Sequence, residues 1–121
     1  MSWLIWVGVA FLGGCGALAR FGLTLLVADR LHPNLPIGTL AVNVSGTFLL
    51  GLLVGAGLDG NGRLLLGAGA LGSYTTFSTL MVETQRLEAA KERRVAVTNL
   101  VLSLALGLGS AALGYAAGTL L

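Results

Sequence analysis

The sequence predicts an all-α integral membrane protein with four transmembrane helices, and three observations support this fold class. Hydrophobic residues make up 55% of the 121 residues and charged residues only 10%, whereas about 25% of the residues in a typical soluble domain are charged. Four long stretches carry no charge: residues 3–19, 37–58, 64–82 and 95–121. So short a chain has too little polar surface to cover four such segments in water.

The first helix is expected over residues 3–28. Its uncharged part is 17 residues long, and a helix needs ~20 apolar residues to cross the hydrocarbon core, so the span must continue past Arg20. No basic residue precedes Arg20, whereas a signal peptide begins with positive charge. We therefore interpret this segment as a retained helix.

The other three helices are expected over residues 37–58, 64–84 and 95–120, within a single domain of residues 1–121. Their connections differ in chemistry. Residues 29–36 contain two prolines, and residues 59–63 read Asp-Gly-Asn-Gly-Arg, which is typical of a tight turn. Residues 85–94 are rich in helix formers and are expected to extend the third helix out of the membrane, with Glu88 placed to pair with Lys91.

Basic residues are distributed unequally between the two sides of the predicted bundle. The first and third connections hold Arg30, Arg86, Lys91, Arg93 and Arg94, whereas the side with both termini holds only Arg63. The positive-inside rule therefore places the first and third connections in the cytoplasm.

Several functional classes are disfavoured by composition. The net charge is +2, and no basic run is interleaved with aromatic residues, so nucleic acid is not an expected partner. Residues 67–72 match GxGxxG, but a dinucleotide motif needs a preceding strand and a βαβ unit. The sequence has one histidine, His32, and one cysteine, Cys15, which provide neither a catalytic set nor a metal cluster. We expect the chain not to be an enzyme.

Small residues recur at the spacing of helix-packing motifs. Gly51 with Gly55, and Gly114 with Gly118, each form GxxxG, a pattern that lets helix backbones approach closely in lipid. Four helices with several such faces offer more interface than one subunit needs, which favours a dimer.

Polar side chains occur where hydrocarbon should exclude them. Arg20 interrupts the first span, Asn43 lies on one face of the second helix with Thr39 and Thr47, and Asn99 shares a face of the fourth with Ser103. Each has a structural explanation, because threonine and serine bond to helix carbonyls, asparagine joins helices, and arginine extends to headgroups.

The polar run of residues 75–79 is harder to explain as packing alone. It follows Gly67, Gly69 and Gly72 and predicts an interruption of the third helix. Irregular backbone at membrane depth is tolerated only where it is buried in protein or lines a wet cavity. Such interruptions are where channels and transporters place their ion sites.

Three segments resemble the Fluc (CrcB) family of fluoride channels. Residues 13–20, GGCGALAR, resemble its GGxxGAxxR segment, and residues 38–48, GTLAVNVSGTF, resemble GTLxxNxxGxF. Residues 72–79, GSYTTFST, resemble GGxTTFST. The order of the segments and the chain length agree with the family, so the resemblance covers essentially the whole chain.

The resemblance implies an antiparallel homodimer with two pores and a central sodium ion in the cell's inner (plasma) membrane. Family members hold the sodium by backbone carbonyls at the third-helix break, and the matching positions are Gly72 and Thr75. The matching pore residues are Asn43, Phe77, Ser78 and Thr79, with Arg20 near the pore entrance. The implied partners are fluoride, the lipid membrane, and a second copy of the chain or a paralogue.

Two positions depart from the family pattern. Leu80 stands where many members have a second pore phenylalanine, and Asn99 stands where many have a tyrosine four residues before a serine. Both departures concern the detailed chemistry of the pore.

The implied function is passive export of fluoride from the cytoplasm. Fluoride is strongly hydrated, so a pore must replace its water with donors such as the Asn43 amide and the hydroxyls of Ser78 and Thr79. The competing hypothesis is a small multidrug-type proton-coupled transporter, which needs a membrane-buried carboxylate. All five acidic residues are expected at span ends or in connections: Asp29, Asp59, Glu83, Glu88 and Glu92. A structural membrane subunit without transport is the third alternative.

Overall fold

The computed structural model describes residues 3–27 and 37–121, except for the side chains of Ser78 and Thr79. Helix α1 is Trp3–Val27 and α2 is Ile37–Gly55. Helix α3 covers residues 60–74 and consists of Gly60–Gly62, the π-helical Arg63–Leu71 and Gly72–Tyr74. Helix α4 is Ser78–Ala89 and α5 is Arg93–Gly118. The first connection, with Arg30 and His32, and the predicted helix end at residue 28 lie outside the described residues.

The molecule has the surface of a membrane protein. Within the described part of the chain, α1, α2 and α5 are long and apolar enough to cross a membrane, with mean hydropathies of 1.7, 1.9 and 1.8. Large apolar side chains point outward along them, including Trp3, Phe11 and Leu108. In water this exposure would be costly, whereas in lipid it stabilises the fold. The prediction of an all-helical membrane protein is confirmed for these residues.

Helices α2 and α5 form the most extensive interface, and their glycines permit it. A Cβ on Gly51 or Gly55 would overlap the carbonyl oxygen of Ala111 or Tyr115, and a Cβ on Gly114 would overlap that of Phe48. The two GxxxG stripes therefore pack against each other within one chain. They are not surplus interface, so the stripes themselves do not indicate a dimer.

Helix α1 packs against α3, again through small residues. A Cβ on Gly16 would overlap the Ala70 carbonyl oxygen, and one on Gly69 would lie 3.2 Å from the Val9 carbonyl oxygen. The π-helical segment Arg63–Leu71 bonds at i→i+5, a form usually confined to single turns and often found near functional sites. It lies immediately before the polar run of residues 75–79.

Helical structure stops at Tyr74 and resumes at Ser78. Thr75 is extended, with φ −77° and ψ 157°, and its N–H donates to the Leu71 carbonyl at 3.0 Å as the last helical bond of α3. Thr75 Oγ1 donates to the same carbonyl at 3.1 Å. Neither α3 nor α4 is long enough to cross a membrane alone.

Two helix ends use the same hydrogen-bond pattern with different residues. Helix α2 ends three residues before the predicted boundary, where Leu58 donates to Leu53 at 3.0 Å and Gly57 lies between them at φ +84°. Helix α4 ends with Glu92 donating to Leu87 at 2.8 Å, with Lys91 at φ +62°. Both are Schellman motifs, which favour glycine at the left-handed position.

The turn between α4 and α5 carries an exposed ion pair. Arg93 donates to Glu88 at 2.6 Å. The sequence predicted that Glu88 pairs with Lys91, but in the structure Glu88 pairs with Arg93 across the turn. The hydrogen bond from Arg93 lowers the pKa of Glu88 below its usual value. Helix α5 begins at Arg93, two residues before the predicted boundary, because the turn is completed within residues 90–92.

Candidate functional site

Asn43 on α2 and the backbone of Thr76 are joined by two reciprocal hydrogen bonds. Asn43 Nδ2 donates to the Thr76 carbonyl oxygen at 2.8 Å, and the Thr76 N–H donates to Asn43 Oδ1 at 2.8 Å. Thr76 lies in the interruption between α3 and α4, where helical hydrogen bonding stops. The Asn43 side chain thus satisfies backbone groups that the interruption would otherwise leave unpaired.

These bonds also alter the surroundings of the Gly72 carbonyl. In an uninterrupted α-helix, the Gly72 carbonyl would accept from the amide four residues later, which is that of Thr76. That amide donates to Asn43 instead, and the extended Thr75 turns its own carbonyl away from the helical direction. Carbonyls at an unwound point are the ligand type that membrane transporters use for Na⁺.

Helix α2 also contacts the residues that precede the interruption. A Cβ on Gly46 would overlap Thr75 Cγ2 and lie 3.1 Å from Tyr74 Cδ2. Ser45 Oγ and the Tyr74 hydroxyl form a hydrogen bond of 2.8 Å. Asn43, Ser45 and Gly46 of α2 therefore hold the residues at and just before the interruption, and the sequence motif that contains Asn43 and Gly46 has a local structural reason.

An open cavity of about 290 Å³ lies beside the interruption, and we call it the Phe77 cavity. Its polar lining consists of Asn43, Thr47, Thr75, Thr76 and Ser103. Phe77 contributes an aromatic ring that is 64% exposed, whereas Leu80 on the same wall is only 3% exposed. The cavity therefore combines one aromatic edge with several hydrogen-bonding groups.

A second cavity, of about 230 Å³, lies on the α1 side, and we call it the Arg20 cavity. Its lining is Ala17, Arg20, Phe21, Thr24, Thr39 and Thr76. Among the described residues that line the two cavities, Arg20 is the only one with a charged side chain. Thr76 borders both, so the Asn43–Thr76 pair lies between them.

The structure places most of the predicted site residues around the interruption. Asn43, Thr75 and Phe77 border the Phe77 cavity, Gly72 begins the last turn of α3, and Arg20 borders the other cavity. Ser78 and Thr79 begin α4, but their side chains lie outside the described residues. No group of three or more histidine, cysteine, aspartate or glutamate side chains that could hold a metal ion occurs in the described ranges.

Glu83 lies in the middle of α4, directly after the uncharged stretch of residues 64–82. Its carboxyl group lies beside Thr39 of α2. One of its oxygens, Oε1, is buried and has no hydrogen-bond partner among the described residues. Because α4 was expected to continue out of the membrane, the placement of Glu83 at a span end stays a prediction.

Two polar side chains of α5 are buried and each has an atom with no hydrogen-bond partner among the described residues. Asn99 is 1% exposed and Ser103 is 7% exposed. Asn99 Nδ2 and Ser103 Oγ find no hydrogen-bond partner within the described part of the chain. The sequence identified this pair as sharing a helix face, and the structure turns that face inward.

Comparisons with known proteins agree on one family. The family model described as "CrcB-like protein, Camphor Resistance (CrcB)" matches residues 7–115. A protein of Mycobacterium bovis named "Fluoride-specific ion channel FluC 2" is 48% identical over 110 residues, which cover 91% of this chain and 87% of that protein.

Two other bacteria have similar proteins. "Fluoride-specific ion channel FluC 1" of Leifsonia xyli subsp. xyli is 41% identical over 124 residues, covering 99% of this chain and 90% of that protein. The protein of the same name from Rubrobacter xylanophilus is 49% identical over 106 residues, covering 87% and 86%.

Proposed function

The chain belongs to the CrcB family, and we propose that it is a fluoride-specific ion channel that exports fluoride passively from the cytoplasm. The observation that carries this proposal is the 48% identity, over 91% of the chain, to a protein named as a fluoride-specific ion channel. Because the alignment covers both the glycine interfaces and the interruption, this sequence identity supports an architecture and an ion in common with that protein.

The chemistry of the two cavities supports an anion. Polar side chains line both cavities, Arg20 carries the only charge among the described lining residues, and Phe77 can turn the positive edge of its ring toward an ion. A single guanidinium attracts an anion without binding it so tightly that it cannot leave. We assign Arg20 to the pore entrance, and Asn43, Phe77, Ser78 and Thr79 to the path.

Asn43 acts mainly as a positioning residue in this proposal. Its carbonyl oxygen and one amide hydrogen are committed to Thr76, which leaves one hydrogen of Nδ2 for an ion. By fixing Thr76, Asn43 also sets the position of the adjacent Phe77 ring. The same side chain thus stabilises the interruption and offers a donor beside it.

We assign the third membrane crossing to α3 and α4 together, which gives four crossings. The polar interruption then lies at membrane depth.

The Phe77 cavity is open, and the Phe77 ring is 64% exposed. A second, antiparallel copy of the chain would close the cavity and bury the ring, and this is the arrangement we propose. The distribution of basic residues alone favours a single orientation, but most of these residues lie at the adjoining ends of α4 and α5, and so short a chain can insert in either orientation. Cysteine labelling in intact cells, with a terminal cysteine on a Cys15→Ser background, should find termini on both faces of the membrane. Labelling from one face only would favour a partner of opposite orientation.

A structural sodium ion fits the interruption. The donor set would be the backbone carbonyls of Gly72 and Thr75, since the Thr76 amide is committed elsewhere and Thr75 is extended. The ion would supply fixed positive charge that offsets the cost of an anion at membrane depth. In the chain itself, Asn43 and Gly46 hold the backbone in the conformation that presents these carbonyls.

The proposed task in the cell follows from the acid chemistry of fluoride. Hydrogen fluoride crosses lipid as a neutral acid and dissociates in a more alkaline cytoplasm. A channel in the plasma membrane lets the trapped anion leave, helped by ~2.3 kcal/mol for each 100 mV of negative-inside potential.

An efflux assay tests the function directly. Liposomes that contain the purified protein and sodium fluoride, with a potassium gradient and valinomycin, should release fluoride much faster than matched liposomes release chloride. No release above protein-free liposomes would contradict the proposal, and proton-coupled movement of a cationic drug would favour the transporter hypothesis.

A further inference from the structure

Positive charge concentrates at the end of the molecule where α4 turns into α5. Residues 84–94 include four basic and two acidic residues, whereas residues 56–63, at the opposite end, include one of each. Arg86, Lys91 and Arg94 are all exposed there, and we call these three residues the basic end. Exposed positive charge beside a membrane-spanning bundle attracts anionic groups at the membrane surface.

The acidic residues near the turn leave the basic end available. Glu88 is paired with Arg93, with its Oε1 2.6 Å from Arg93 Nη2, and this is the only ion pair that the described residues form. Arg86 attracts the Glu83 carboxylate, but the two side chains do not form an ion pair. Arg86 and Arg94 therefore keep their guanidinium donors for an external partner.

Each of these two arginines continues an exposed apolar face of its helix. On α4, Arg86 follows Val82 by four residues, and on α5, Arg94 precedes Val97 by three residues and Val101 by seven. Residues at these spacings share a helix face, and all three valines are more than half exposed. Each arginine thus lies at the end of a face that is suited to contact lipid chains.

The length of α5 places Arg94 at the depth of the lipid headgroups. Helix α5 has 26 residues and is therefore ~39 Å long, whereas the hydrocarbon core is ~30 Å thick. The excess length brings the first turn of α5, with Arg94, outside the hydrocarbon. An arginine at this depth lays its methylene groups along apolar surface and directs its charge outward, and a guanidinium binds phosphate oxygens in pairs.

We propose that the basic end binds anionic phospholipids, with their phosphate groups at Arg86, Lys91 and Arg94 and their acyl chains along the faces of Val82 and Val101. The apolar continuation of both arginines favours a lipid over a soluble anion, which has nothing to place against the valines. A zwitterionic headgroup adds an ammonium group that these cations repel, so phosphatidylglycerol should bind more tightly than phosphatidylcholine. This inference does not depend on which ion the chain conducts.

The test uses purified full-length protein in detergent, with lipid binding followed by native mass spectrometry. The lipids are phosphatidylglycerol and phosphatidylcholine with identical acyl chains. Arg86→Gln and Arg94→Gln each remove one charge, a double variant removes both, and Arg94→Lys keeps the charge. Arg63→Gln is the matched control, because Arg63 lies at the opposite end, where its Nε donates to the Leu58 carbonyl oxygen at 3.0 Å.

The wild type should bind phosphatidylglycerol at least about tenfold more tightly than phosphatidylcholine. Arg94→Gln and Arg86→Gln should each weaken phosphatidylglycerol binding about fivefold, and the double variant more, with phosphatidylcholine binding unchanged. Arg94→Lys and Arg63→Gln should stay close to the wild type. Phosphatidylglycerol should also raise the Tm of the wild type, since a ligand of the native state raises Tm, and it should raise the Tm of the double variant less.

Three results would overturn the inference. The first is equal affinity of the wild type for the two lipids. The second is a double variant that binds phosphatidylglycerol as tightly as the wild type, or a loss of the same size in Arg63→Gln, which would reflect net charge alone. The third is displacement of phosphatidylglycerol by millimolar inorganic phosphate, which would assign the basic end to a soluble anion. If the double variant does not fold, the comparison of Arg94→Gln with Arg94→Lys decides.

Discussion

Asn43 shows, at the scale of single residues, how one side chain can serve both fold and function. We predict that Asn43→Ala abolishes fluoride flux and lowers Tm, because the Thr76 N–H and carbonyl lose their partners and each unsatisfied buried group costs about 1–3 kcal/mol. The measurements are liposome efflux and thermal unfolding in detergent. Normal flux in a folded Asn43→Ala protein would show that the amide is required neither for the interruption nor for the ion.

Phe77 and Leu80 differ in chemistry on the same cavity wall. Leucine has no ring quadrupole and cannot turn a positive edge toward an anion. We predict that Phe77→Leu nearly abolishes fluoride efflux, and that Leu80→Phe preserves or raises it. Because Phe77 is 64% exposed within one chain, the first change should cost the isolated chain little stability.

Two results would contradict the proposed role of Phe77 or the homodimer. Normal efflux from Phe77→Leu would exclude an essential aromatic contact and leave the path to Asn43, Ser78 and Thr79. A silent wild type that conducts only when a paralogue with the second phenylalanine is added would contradict the homodimer.

The α2–α5 contact illustrates, at the scale of elements, what glycine does in this fold. A Cβ on Gly114 would overlap the Phe48 carbonyl oxygen, whereas one on Gly109 of the same helix meets nothing within 4 Å. We predict that Gly114→Ala lowers stability by about 1–3 kcal/mol, the usual cost of overpacking, and that the control Gly109→Ala is neutral or stabilising. Equal Tm values for the two variants would contradict the proposed interface.

The end of α4 offers a second test at the same scale. Lys91 takes the left-handed position of a Schellman motif at φ +62°, where α2 uses Gly57. The left-handed conformation costs a residue with a side chain roughly 1–2 kcal/mol. Glycine avoids this cost in the folded state, but it also gives the unfolded chain more conformational freedom, which offsets part of the stabilisation. We predict that Lys91→Gly raises stability by about 0.5–1 kcal/mol and that Gly57→Lys lowers it, as measured by thermal unfolding.

The sequence contains the elements of the whole molecule but not their fine geometry. The lengths of the uncharged stretches predict the helices, and the spacing of small residues predicts where helices pack closely. Both features can be read from local sequence. The π-helical form of Arg63–Leu71, which lies where α1 packs closely at Gly69 and Ala70, is not indicated by any local pattern. The pairing of Asn43 with Thr76 joins residues 33 positions apart, and no local pattern specifies it.

Charged residues were the least predictable part of the molecule. The sequence does not show that Glu83 lies beside Thr39 of α2 with its Oε1 buried, because that environment depends on residues distant in the chain. Glu88 pairs with Arg93 across the turn, because the Schellman motif reverses the chain direction before the expected helical partner is reached. The residues around the interruption lie in contiguous polar motifs, so the sequence could group them, whereas their roles in an ion path stay predictions.

Passive conduction of fluoride by the assembled molecule is measured best by the reversal potential of the current across a planar bilayer. With sodium fluoride on both sides, the account predicts a shift of about 59 mV for each tenfold fluoride gradient, no shift with a pH gradient at equal fluoride, and almost no current when chloride replaces fluoride. A reversal potential that follows the pH gradient, or that is equal in chloride, would contradict a passive fluoride-specific channel.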